Sequence, residues 1–135
     1  MTNPKLSGLP FCQAFMHEVC RAIYAYARGK TGLLRYGPQT PVQEETGKTV
    51  LKLRSANLTE EQIYALEGAF QEVQVSILAR LFSLIDGSSQ PPGWPDEIRL
   101  VNTDTGEEIC PDGLEWVFGL ALAEYRDRSM ASGQA

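Results

Sequence analysis

The chain has 135 residues, enough to bury one hydrophobic core without metal or disulfide staples. Apolar residues make up 43% and charged residues 21%, which excludes disorder over the whole length. A net charge of -5 with no basic face excludes generic binding to nucleic acid, and leaves a basic protein as a partner or plain solubility.

Residues 1–9, with Pro4 and Gly8, read as a loose arm, residues 10–128 as one globular domain, and residues 129–135 as a flexible tail. The opening residues hold a single Lys and no sustained apolar run, so neither a leader nor a membrane span is expected and the cytoplasm is the expected location. Pro10 suits the first turn of a helix that Gly29 would end. Phe11, Phe15, Val19, Ala22, Ile23 and Tyr26 would line its apolar face, with Gln13, His17, Arg21 and Tyr24 on the other side.

Three cysteines, Cys12, Cys20 and Cys110, form an odd set without metal-ligand spacing. Cys12 and Cys20 are separated by about 12 Å along a helix, too far to bridge, and all three are expected as reduced thiols. His17 is the only histidine, which removes metal sites that need paired imidazoles; neither metal nor cofactor is expected. Gly29-Lys30-Thr31 matches the end of a phosphate-binding loop, but Tyr24 stands where that loop needs its earlier glycine, and a helix precedes it where a strand is required. Gly47-Lys48-Thr49 fails the same test, with Val42 in the earlier position.

Glycines and prolines then break the chain into turns up to Asn57, with one alternating segment at 49–54 that reads as a strand and 33–36 as a short partner. Thr59 and Gln62 have capping-box spacing and open a second helix running to Ile85, closed by Asp86-Gly87. Its apolar face, Ile63, Leu66, Phe70, Val73, Ile77, Leu81 and Leu84, is widened by Val75, Leu78, Phe82 and Ile85 so far that two neighbours would have to cover it. Glu67 and Gln74 fall inside that face and could line a polar pocket, with Tyr36 as an aromatic neighbour.

The loop 87–95 carries Trp94 among prolines, either as a cap on the core or as an anchor for a partner. Residues 98–110 read as a β-hairpin turning at 104–106, and Pro111-Asp112 lead into a third helix ending near Arg126. Leu114, Val117, Phe118, Ala121 and Tyr125 share one face of that helix, while Trp116, Leu120 and Ala123 make a second on nearly the opposite side. A helix apolar on both sides needs two partners: either it is sandwiched inside the monomer or its second face docks on another chain, and a homodimer through this helix is expected.

The expected fold is therefore α+β: three helices packed with a small antiparallel sheet built from the 98–110 hairpin and the 49–54 strand. The expected function is a small acidic protein-protein interaction module, of the inhibitor or immunity type. The alternative is a small-molecule binding protein or enzyme with a pocket around Glu67, Gln74 and Tyr36. A direct consequence is that ATP and GTP leave the melting midpoint unchanged. A nucleotide at 100 times its dissociation constant adds about 2.7 kcal/mol, so an upward shift with either would contradict the reading of both Gly-Lys-Thr segments.

Overall fold

A computed structural model of the chain describes residues 10–87, 90–95 and 97–131. Its elements are helices α1 (Pro10–Tyr36), α2 (Pro41–Thr46) and α3 (Lys48–Leu51), a 3-10 turn (Lys52–Ala56), and helices α4 (Glu60–Asp86) and α5 (Leu114–Ala131). Among the described residues no β-strand forms, and β pairing amounts to the isolated antiparallel bridge Val101–Glu108. The α+β expectation is thereby overturned. No helix among these residues is long and apolar enough to cross a membrane. The expected arm 1–9 and residues 132–135 of the expected tail lie outside the described residues, and α5 runs on to Ala131.

Each misread segment has a local reason. Gly29 does not end the first helix: α1 continues through Gly29 and Gly32 to Tyr36, so 33–36 is helix. Two helical glycines cost about 1 kcal/mol each, and burial of Thr31, Leu33 and Leu34 in the same two turns offsets that cost. The helix ends instead at Gly37, whose φ of 76° suits glycine and whose N–H closes on Leu33 O at 3.0 Å. A Cβ there would meet the Arg54 guanidinium at 2.8 Å.

The 49–54 strand is absent because Lys, Leu and Arg are good helix formers and six alternating residues without a partner strand fix nothing. They form α3 and the 3-10 turn, stopped by Asn57 in the left-handed region at φ 52°. At 98–110 the chain does reverse. Asn102 N donates to Glu107 O and Ile109 N to Leu100 O, both at 2.8 Å, around Gly106. The arms then stop, since Cys110 takes a positive φ of 59° and Pro111 follows. Such a short hairpin has no third strand to complete a sheet.

The described chain divides into two compact units, Met1–Arg21 with Ser76–Ala135, and Ala22–Val75. In the first, Phe82 packs edge-on to Phe15 and Phe118, at ring separations of 6.4 and 5.2 Å. Val117, Phe118, Leu114, Ala121 and Leu122 bury the inner face of α5. Cys12 is bonded to Cys110, which corrects the expectation of reduced thiols: only the pair within α1 was too far apart, and the fold brings the two Cα atoms to 4.9 Å across 98 residues.

In the second unit, Ile23, Ala27, Thr31 and Leu34 turn one face of α1 inward. Of the aromatics expected in the core of α1, Phe15 is half-buried against Phe82, whereas Phe11 and Tyr26 are exposed and Tyr24, expected outside, is buried. Large aromatic side chains tolerate exposure at a helix surface, whereas the small and sulfur-bearing residues Cys12, Met16, Cys20 and Ala27 allow close approach. The broad apolar face of α4 is likewise only partly covered: Ile63 and Phe82 are buried, while Val73, Ile77 and Leu81 are exposed.

Cys20 is a free, fully buried thiol whose pKa burial pushes up to about 11 against the opposing charge of Arg126. A thiol titration should therefore find none reactive in the native chain, one after denaturation and three after reduction in denaturant. Reduction should lower stability by about 5 kcal/mol, as expected for a cross-link closing a loop of this size. Three reactive thiols without reductant would remove the Cys12–Cys110 bond.

Candidate functional site: the outer face of α5

The start of α5 is fixed from two directions. Asp86, the last residue of α4, accepts hydrogen bonds from Leu114 N and Glu115 N, both at 2.9 Å. These are orphan donors of the first turn, and a carboxylate there also meets the positive end of the helix dipole. Cys110, four residues before the helix, is tied to Cys12 in α1. With its origin held and Leu114, Val117, Phe118 and Ala121 buried, the helix must present its opposite side to solvent.

On that side stand Trp116, 65% exposed, Leu120, 37% exposed, and Ala123. At 100° per residue the three fall within about 60° of arc. Glu115, Trp116, Gly119 and Leu120 line a shallow groove of about 380 Å³ floored by the bare backbone of Gly119. Nothing lies within 4 Å of where a Cβ at Gly119 would be. Arg126 and Glu115 are both exposed on one edge of this face, and no ion pair holds either among the described residues.

Trp94, the other aromatic expected as an anchor, is half-buried and donates its indole N–H to Leu84 O at 3.2 Å, covering the end of α4. A larger cavity of about 460 Å³ lies beside the turn, lined among others by Ile98, Arg99, Glu108, Asp112 and Trp116. Within it, Arg99 pairs with Glu97 and Glu108.

The residues expected to line a pocket lie in the second unit and are held by their own chain. Glu67 is buried, accepts a hydrogen bond from the Thr31 hydroxyl at 2.8 Å, and has the Arg35 guanidinium 3.9 Å away. Arg35 also pairs with Glu60 at 2.8 Å. Gln74 donates to Ile23 O and Phe70 O, each at 3.1 Å. Tyr36 is 74% exposed and borders a separate groove with Gly29, Gly32 and Gln43. Thr31 and Arg35 were the partners that sequence reasoning missed; once α1 is known to pass Gly29, their spacing of four puts both on one face.

Lys30 of the first Gly-Lys-Thr donates to Thr46 O at 2.9 Å and lies over the Tyr26 ring. The tripeptide is thus mid-helix, with its lysine and threonine engaged within the chain. Among the described residues no group of three His, Cys, Asp or Glu side chains gathers as a metal site would. No protein-family model, curated protein or solved structure matches this chain.

Replacing Asp86 by Ala should cost about 1–2 kcal/mol in chemical denaturation, since it frees two backbone donors at the origin of α5. Asp86→Asn should recover part of that loss. An unchanged midpoint for Asp86→Ala would show that this cap does not fix the helix.

Proposed function

We propose that the chain is a non-enzymatic protein-protein interaction module and that the outer face of α5 is the surface it presents. One observation carries this reading: Trp116 is largely exposed beside Leu120 and an open groove, on a helix whose other face is buried. An exposed tryptophan with aliphatic neighbours is the composition of an interface centre, and its truncation usually costs a complex most. The inhibitor or immunity type remains the class that the net charge of -5 suits best, because an acidic protein attracts basic targets. No observation favours a small-molecule pocket at Glu67, Gln74 and Tyr36, as the first two already bond to their own chain.

The Cys12–Cys110 bond weighs against the cytoplasmic location expected from the sequence, because such bonds persist in oxidising compartments. The module is accordingly proposed to act where thiols are oxidised.

The test is a photo-reactive phenylalanine derivative at position 120, compared with the same residue at exposed Lys52 in the 3-10 turn. Irradiation in the native cell should yield a cross-linked protein from position 120 and none from position 52. Leu120→Glu should melt with the wild type while abolishing capture by a probe at position 123. Absence of any adduct from position 120, or equal adducts from both sites, would contradict the proposal.

A further inference from the structure

The arrangement of large and small residues on α5 selects a partner. Trp116 and Leu120 are large, Gly119 and Ala123 are small, and all four are exposed. The numbers 116 and 123 have the same midpoint as 119 and 120. We propose that α5 pairs with α5 of a second copy, antiparallel, about a two-fold axis passing between Gly119 and Leu120. This rests on the reading of the outer face as a protein-binding surface and names its occupant.

In that register Trp116 of each copy lies over Ala123 of the other, and Leu120 enters the groove over the other's Gly119. Each protrusion meets a recess on the same patch, which is what an isologous interface requires. The groove of about 380 Å³ beside Leu120 supplies the room.

The charges at the edge agree. Glu115 and Arg126 are eleven residues apart, so they differ by about 20° around the helix and lie on one edge. In the antiparallel pair, Glu115 of one copy comes within about two residues, or 3 Å along the axis, of the second copy's Arg126, and the pairing occurs twice. Asp127 falls opposite the second copy's Asp112, at the solvent-exposed ends where salt screens repulsion.

A parallel pair would instead set every residue against itself: Trp116 on Trp116, Glu115 on Glu115, Arg126 on Arg126. Large would meet large and like charge would meet like charge.

The experiment is sedimentation equilibrium with light scattering on the full oxidised chain, up to about 100 µM, where a micromolar dimer is populated. Wild type should be a dimer. Gly119→Gln and Ala123→Gln should each weaken it by about tenfold or more, by filling the recesses. Gly119→Gln should not lower the melting temperature of the monomer, since that site is open and glutamine is a better helix former than glycine, and Ala123→Gln should lower it only slightly, since alanine and glutamine are both good helix formers and the position is exposed. Glu115→Arg and Arg126→Glu should each weaken the dimer, and the double exchange should restore it.

A dimer sensitive to Leu120→Glu but indifferent to Gly119→Gln and Ala123→Gln would overturn this register and leave the face as an interface. Indifference to Leu120→Glu as well would overturn both readings. A wild-type monomer at the highest concentration would overturn self-pairing, and the adduct captured from position 120 would then belong to a different protein.

Discussion

The covalent link between Cys12 and Cys110 is the constraint from which the first compact unit follows. Between Asp86 and Leu114 the described chain holds only turns and one bridge, so little regular hydrogen bonding fixes where α5 begins. The disulfide fastens the end of that stretch to the first turns of α1, and Asp86 then supplies acceptors for the first donors of α5. With both in place, Phe118 on the inner face of α5 packs on the Phe82 ring, which in turn meets Phe15, and the outer face has nowhere to go but solvent. The exposure of Trp116 is a consequence of how the helix is held.

The second unit shows how a polar cluster can resemble a site without being one. A buried carboxylate at Glu67 is costly unless it is bonded, and here Thr31 and Arg35 meet it. Arg35 extends the chain of contacts to exposed Glu60. Thr31 belongs to the Gly-Lys-Thr tripeptide that resembles a phosphate loop, and its hydroxyl serves this internal contact. The residues most suggestive of chemistry thus pair with one another and cross-link neighbouring helices.

Signals that reside within a few residues were legible in the sequence. The reciprocal capping box of α4 forms as its spacing suggested, Thr59 Oγ1 accepting from Gln62 N at 3.1 Å and Gln62 Oε1 from Thr59 N at 2.9 Å. Asp86-Gly87 closes the same helix, Gly87 taking a φ of 81°. What was not legible depends on partners far along the chain. Whether Gly29 stops a helix depended on burial of Thr31, Leu33 and Leu34, and which face of α1 turns inward depended on the size of its neighbours. The alternation at 49–54 carried no information about whether a second strand existed. The Cys12–Cys110 pairing was hidden because the sequence supplies no distance between residues 98 apart. The residues beside Trp116 that matter most to the proposed interface, Gly119 and Ala123, signal by their lack of side chain, which a search for chemical groups passes over.

In the proposed pairing, Trp116 is free in the monomer and covered in the two-fold dimer. This is tested most directly by replacing both tryptophans with 5-fluorotryptophan and recording fluorine NMR spectra over a dilution series. The Trp116 resonance should move with protein concentration and lose its sensitivity to deuterated solvent as the chain associates, while Trp94, bonded to Leu84 O, should stay in place. A Trp116 resonance that remains solvent-sensitive and unmoved at every concentration would contradict it.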